Sequence, residues 1–102
     1  MIIQQGDILI EAAGVPAGAK PVTRRDGRII LADGESTGHA HAVVADTAVA
    51  YEADGTLYLS VDADTDVVHE EHGTVTLPPG EYRVRHVREF DHFAEEARDV
   101  QD

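Results

Sequence analysis

The residues in this chain best suited to chemistry are its histidines. The sequence has six, and four of them fall into two tight groups, His-Ala-His at 39–41 and His-Glu-Glu-His at 69–72. There is no cysteine, so a transition-metal site would have to be built from imidazole and carboxylate groups. Neutral imidazole is the commonest protein ligand for zinc and also binds iron, nickel and copper. The histidines therefore predict a metal-binding site.

The first pair lies in a segment that predicts a β-strand. Side chains two residues apart point to the same face of a strand, so His39 and His41 should lie side by side. Two imidazoles on one rigid face are preorganised to bind a single cation. The alternative is that both are merely polar residues at a strand end that follows the flexible Gly38.

The second pair, His69 and His72, is followed directly by Gly73. The zinc-protease motif His-Glu-x-x-His places its two histidines one helical turn apart, so that signature is absent here. Both side chains can reach one ion if the chain curls at residues 70–71. Taken alone, this pair is more simply interpreted as an exposed polar turn.

A fifth histidine, His86, lies on the last predicted strand. It shares a face with Tyr82 and Val84, and because this face carries the larger apolar residues we expect it to point towards the core. His86 is then a metal ligand, a supporting group, or a core histidine with a hydrogen-bond partner, since a buried imidazole needs one. The expected metal ligands are His39, His41, His69, His72 and His86.

The ligand types suggest which ion would bind and what it would do. Three histidines with an open position suit catalytic zinc, or iron with a carboxylate such as Glu70 or Glu52. Four protein ligands with no open position would form a structural site. Such a site benefits a small domain in which aromatic residues make up only 5%. The expected cofactor is a divalent transition metal, zinc or iron before others.

In an enzyme the metal would act as a Lewis acid or activate water, with Glu70 or Glu71 as the nearest base. The sequence reveals neither a reaction nor a substrate.

The elements that must position these residues are predicted to be β-strands. Short apolar segments alternate with turn signals, a pattern typical of a sandwich or small barrel. Asp-Gly pairs at 26–27 and 54–55 predict two tight hairpins. We expect one all-β domain over residues 1–90, a small single-domain barrel or sandwich, followed by a short acidic C-terminal helix or tail at 91–102. The predicted strands are 6–11, 21–24, 28–32, 39–45, 47–52, 56–62, 66–70, 74–77 and 82–90.

Composition excludes several classes of function. The net charge of −12 repels phosphate backbones, so we expect no nucleic-acid partner. No apolar run is long enough to span a membrane, and the first residues lack a signal sequence. We therefore expect no membrane partner and a location in the cytoplasm or a virion. No nucleophile elbow or phosphate loop supports other catalytic chemistry.

An acidic run at 62–66, Asp-x-Asp-x-Asp, resembles the first half of a calcium loop. Val67 stands where such a loop needs glycine, and Gly73 stands where it needs glutamate, which excludes an EF-hand. A solvated acidic edge that discourages pairing between exposed strands is the expected role of this run.

Two other classes of function compete with a metal site inside one chain. The protein could be an assembly component of a cellular or viral particle, in which His-x-His pairs from three chains converge on one ion. Its partner would then be a homo-oligomer or another protein of the assembly, contacted through the arginines of the last strand. Alternatively, the two histidine pairs form a pH-sensitive cluster without metal, whose stability changes between about pH 5 and 7.

Two stretches resemble cupin motifs. Residues 34–55 resemble the first motif, in which glycine, His-x-His, glutamate and glycine follow one another, and residues 73–86 are similar to the second, with Pro-x-Gly before a histidine. The distances along the chain from His41 to Glu52 and from Gly80 to His86 are longer than in cupins. The resemblance implies a jelly-roll barrel and a metal held by His39, His41, Glu52 and His86.

Nearly the whole chain also resembles a set of small microbial and viral all-β proteins to which we can attach no activity. The motifs that carry this resemblance are Gln-Gly-Asp-Ile-Leu at 5–9, Gly-His-Ala-His at 38–41, His-Glu-Glu-His at 69–72 and Leu-Pro-Pro-Gly-Glu-Tyr-Arg-Val at 77–84. It implies no mechanism.

Overall fold

A computed structural model describes residues 1–33 and 38–87. These residues form ten β-strands and no helix, so the all-β expectation is confirmed for the described part of the chain. The predicted C-terminal helix lies outside the described residues. The strands are β1 (Ile2–Gln5), β2 (Ile8–Ala12), β3 (Lys20–Pro21), β4 (Ile29–Asp33), β5 (Ala40–Val43), β6 (Ala48–Ala53), β7 (Thr56–Val61), β8 (Thr65–Val67), β9 (Val75–Leu77) and β10 (Gly80–His86).

Six strands form one antiparallel sheet in the order β1-β2-β10-β7-β6-β3, and β4–β5 and β8–β9 form two smaller pairs. Closing a barrel would require the two edge strands of a sheet to pair with each other. Here β1 and β3 lie at opposite edges of the large sheet and do not pair with each other. The barrel alternative is therefore wrong for the described strands, and so is the closed jelly roll that the cupin resemblance implies.

The core lies between the six-stranded sheet and the four short strands. Ile8, Ile10 and Leu59 contribute from the large sheet. The short strands contribute Ile29, Leu31, Val43, Val67 and Leu77. Aliphatic side chains thus supply most of the packing, as a composition poor in aromatic residues requires.

Both Asp-Gly pairs form tight turns, but only one joins paired strands. Asp54-Gly55 has φ angles of 51° and 79° and connects β6 to β7, as a type I′ hairpin requires. Asp26-Gly27 has similar φ angles of 52° and 77° and closes a single antiparallel bridge between Arg25 and Arg28, but the pairing does not extend further, because β3 pairs with β6 instead of β4. Pro21 has no N–H and suits an edge strand. The guanidinium of Arg24 also holds this region to the loop before β6 by donating to the carbonyls of residues 27, 44, 45 and 48.

A strand that the sequence did not predict, β1, positions part of the candidate site. It pairs with β2 through a two-residue turn formed by Gly6 and Asp7. Reciprocal backbone hydrogen bonds between Ala42 and Val68 join β5 to the residues that follow β8. These two connections bring the turn, β5 and the segment 67–73 together.

Candidate functional site: a histidine cluster

The structure brings the two histidine pairs together. The ring centroid of His41 lies 4.3 Å from that of His69 and 5.9 Å from that of His72. The rings of His69 and His72 are 4.7 Å apart, and His39 lies 6.0 Å from His69. The bridge between Ala42 and Val68 explains this, because it places His41 opposite His69 across an antiparallel pair. We call these four side chains the histidine cluster.

His41 is the buried member of the cluster, with 1% of its surface exposed. Its Nδ1 lies 2.8 Å from Gln5 Oε1 and its Nε2 lies 3.0 Å from Asp7 Oδ1. The Gln5 amide is oriented by its own Nε2, which donates to the carbonyls of Val67 at 2.9 Å and Gly73 at 3.0 Å. Gln5 therefore turns its carbonyl oxygen to the ring, and the ring can only donate to it from a protonated Nδ1.

The second ring nitrogen of His41 faces a carboxylate. Burial lowers the pKa of His41; the neighbouring imidazoles of His69 and His72 lower it further, while the Asp7 carboxylate beside Nε2 raises it. A neutral ring carries one proton, and with that proton on Nδ1 the lone pair of Nε2 faces Asp7 Oδ1. Two lone-pair groups at this distance attract a cation. Nitrogen and oxygen ligands of zinc each lie about 2 Å from the metal, so a separation of 3.0 Å fits two ligands of one ion.

Gly6 brings His72 close to the same turn. A Cβ atom at Gly6 would lie 2.5 Å from His72 Nε2 and 3.1 Å from His41 Cε1, and the residue has a φ of +55°. A side chain at this position would thus collide with the ring and strain the backbone. The turn of Gly6 and Asp7 can approach both rings because it carries no Cβ at residue 6.

The other two rings are held differently. His69 Nδ1 accepts a hydrogen bond of 3.0 Å from the Glu71 N–H, so a neutral His69 carries its proton on Nε2. His39 Nδ1 lies 2.7 Å from Glu71 Oε2. That contact lacks hydrogen-bond geometry, and this buried nitrogen has no hydrogen-bond partner in the structure. Nδ1 of His39 thus has no hydrogen bond, whereas Nδ1 of His69 has one.

Glu70, one of the two expected bases, is engaged with the backbone. Its Oε1 accepts a hydrogen bond of 2.9 Å from the Ala40 N–H. This bond and a second one from its own backbone N–H lower the pKa of Glu70. The side chain therefore joins the segment 69–72 to the start of β5 as an ionised carboxylate, which makes it a poor proton acceptor near neutral pH.

Two of the expected ligands lie elsewhere. Tyr82 and Val84 are buried as predicted, but His86, at the end of β10, is exposed and lines a cleft of about 430 Å³ with Ile8, Leu31, Leu57 and Val84. Glu52 accepts a hydrogen bond from the Gly55 N–H in the β6–β7 turn. The structure therefore does not gather the set implied by the cupin resemblance, His39, His41, Glu52 and His86, in one place.

Within the two described ranges, no three His, Asp or Glu side chains already surround a common point at metal-ligand distance. Asp7 Oδ1 and His41 Nε2 lie close enough together to hold one ion as they stand. Further ligands would need ring rotations, and His69 would in addition have to release the Glu71 N–H.

Gln5, Gly6 and Asp7 were not among the expected site residues. Their signal in the sequence is a polar Gln-Gly-Asp turn between two apolar segments, Ile2–Ile3 and Ile8–Ile10. That pattern predicts a turn but does not say which distant residues the turn will meet.

The profile of a domain of unknown function, DUF8820, matches residues 4–87. The chain belongs to this family. The DUF8820 region contains the entire histidine cluster together with Gln5, Gly6 and Asp7. No curated protein and no solved structure matches the chain. In the described part of the chain, no helix is both long and apolar enough to cross a membrane.

Proposed function

We propose that the histidine cluster binds one divalent transition-metal ion, with His41, His72 and Asp7 as its first ligands. The observation that carries this proposal is the 3.0 Å approach of His41 Nε2 to Asp7 Oδ1, on a ring whose other nitrogen donates to Gln5. Metal-binding histidines characteristically donate their second N–H to a protein acceptor in this way.

The remaining ligand would come from His39 or His69. His39 is favoured, because its Nδ1 has no hydrogen-bond partner, whereas His69 must first give up a hydrogen bond to the backbone. Imidazoles combined with one carboxylate suit zinc and iron(II). Zinc is the ion with which we would test the site.

A bound ion would act first on the structure of the protein. It would connect the β1–β2 turn to the start of β5 and the segment 69–72, which the backbone hydrogen bonds between Ala42 and Val68 already join to each other. A ligand that binds the folded state alone stabilises it. We infer a structural or storage role for the ion and derive no reaction.

The assembly alternative has one supporting observation. Among the described residues no three His, Asp or Glu side chains already surround one point, so a second or third copy of the chain could complete the coordination. His39, whose side chain is 30% exposed, would then lie at an interface. The ratio of metal to chain separates the two proposals.

The test is a zinc titration of the full chain, without a histidine tag, after treatment with a chelator. We expect one zinc per chain by calorimetry. His72→Gln and Asp7→Asn should lose more than the roughly 10- to 100-fold in affinity that removal of an outer hydrogen bond costs a metal site. His86→Gln is the matched control, because His86 lies in the separate cleft, and it should bind as the wild type does.

Other outcomes have equally clear meanings. One ion per two or three chains, with a matching increase in mass in solution, supports the assembly alternative. Absence of binding for zinc and for iron(II) would show that the cluster is not a metal site.

A further inference from the structure

Gln5 joins His41 to the ends of the segment that carries His69 and His72. It is fully buried at the end of β1. Its amide nitrogen donates to the carbonyls of Val67 and Gly73, which flank the segment that carries His69 and His72. Its carbonyl oxygen accepts a hydrogen bond from His41. One side chain therefore fixes the ring on β5 and the ends of the segment that packs against it.

We propose that Gln5 is the positioning residue of the cluster, which holds the His41 proton on Nδ1 and the segment 67–73 against the ring. The consequence for the metal site rests on the function proposed above. With Nδ1 protonated, the Nε2 lone pair is directed at Asp7 and becomes available to an ion. If instead the proton lay on Nε2, the tautomer that neutral histidine favours in water, it would block the ion.

The chemistry of the amide explains why this position holds glutamine. An amide has one carbonyl acceptor and two N–H donors, and Gln5 uses all three functions in three hydrogen bonds. Glutamate at this position would keep the acceptor and lose both donors. Methionine, which has a similar length, would lose both donors and the acceptor, and would leave the Nδ1 proton without a hydrogen-bond partner.

Gln4 provides a matched control on the same strand. Its side chain points to the opposite face of β1 and donates to the Gly6 carbonyl at 2.8 Å. It is also mostly buried, with 9% of its surface exposed. Gln4→Met therefore removes a buried amide of the same size without touching His41.

The test is a long-range ¹H–¹⁵N NMR measurement of the His41 ring in the full chain, with chelator present, above neutral pH. We expect a protonated Nδ1 in the wild type and in Gln4→Met. In Gln5→Met the proton should move to Nε2, and the zinc dissociation constant should rise by about 10- to 100-fold. A dispersed backbone spectrum would show that the variant is folded. A proton that has moved to Nε2 then reports the loss of the Gln5 acceptor and not unfolding.

An unprotonated Nδ1 in the wild type overturns the inference, and this measurement does not depend on any variant. If Gln5→Met does not fold, Gln5→Glu replaces it; because the acceptor remains, Nδ1 should stay protonated, and a proton on Nε2 would count against the proposal. Equal zinc affinity in wild type and folded Gln5→Met would also overturn it, while leaving the metal site intact. A tautomer change in a chain that binds no zinc would uphold the role of Gln5 and refute the metal site.

Discussion

The burial of His41 accounts for the identity of the residues around it. A buried imidazole without partners costs free energy, because both of its nitrogens lose their hydrogen bonds to water. Gln5 accepts the Nδ1 proton, and Asp7 Oδ1 lies 3.0 Å from Nε2, close enough for a proton or a cation to lie between them. Gly6, which lies between Gln5 and Asp7, contributes by lacking a side chain. This role of Gly6 can be tested directly.

We expect Gly6→Ala to weaken zinc binding, because its Cβ would lie 2.5 Å from His72 Nε2 and displace that ring. The positive φ at residue 6 adds a backbone cost of about 1–2 kcal/mol in the free energy of unfolding. Urea denaturation and zinc titration measure the two effects separately.

Gly27→Ala is the matched control for this variant. Gly27 has a φ of +77° in a similar turn, but a Cβ there would meet no atom within 4 Å. It should therefore show the backbone cost and bind zinc normally. Equal zinc affinity in both variants would contradict the role that we assign to the approach of Gly6 to His72.

At the scale of strands, β2 and β10 are joined by charge as well as by backbone hydrogen bonds. Glu11 on β2 accepts hydrogen bonds from Arg83 at 2.8 Å and Arg85 at 2.9 Å on β10. These arginines thus form cross-strand ion pairs with Glu11. Glu11 is largely buried, with 8% of its surface exposed, so this cluster contributes to how firmly the two strands pair.

The Glu11 carboxylate should make stability depend on pH. Burial raises its pKa, but the hydrogen bonds and charges of Arg83 and Arg85 outweigh this, and the net pKa lies below the ordinary value of 4.5. A lowered pKa in the folded state gives a contribution that is complete above the unfolded pKa and is lost as pH falls through the folded one. We expect Glu11→Gln to cost about 1–2 kcal/mol near pH 7, and the difference from wild type to shrink below pH 4.5.

Urea denaturation of both proteins across this pH range measures the difference. Glu52→Gln serves as control, since Glu52 is exposed on the same sheet and bonds within its own turn. A difference between Glu11→Gln and wild type that stays constant with pH would show that the arginines do not hold Glu11 ionised.

At the scale of the whole molecule, negative charge dominates. The chain has 20 acidic and 8 basic residues, with a net charge of −12. Repulsion among unpaired charges destabilises a compact state, and dissolved salt screens it over a distance of about 10 Å at 0.1 M. A divalent cation bound at the proposed site would offset part of the local charge.

Salt should therefore stabilise the protein. Between about 20 and 500 mM potassium chloride, with chelator present, we expect the melting temperature to rise by about 5 °C, which corresponds to roughly 1 kcal/mol for a domain of this size. Sucrose at matched osmolality controls for effects that do not involve charge. A melting temperature that falls with salt would mean that attractive pairs such as Glu11 with its arginines outweigh the general repulsion.

Local features of the sequence determined much of the fold. Asp54-Gly55 specifies its hairpin because both residues readily adopt positive φ angles. Apolar residues at alternate positions specify the buried face of β10 through Tyr82 and Val84. The close spacing of His69 and His72 also placed their two rings together, with centroids 4.7 Å apart.

Only the tertiary structure decided which distant segments meet. The pairing of Ala42 with Val68 brings the two histidine pairs into one cluster, and no local pattern encodes a contact over that separation. The same holds for the pairing of β3 with β6 and for Gln5, whose partners at 41, 67 and 73 come from other elements. Turn and strand preferences act over a few residues, whereas register between strands is set by the packing of the whole core.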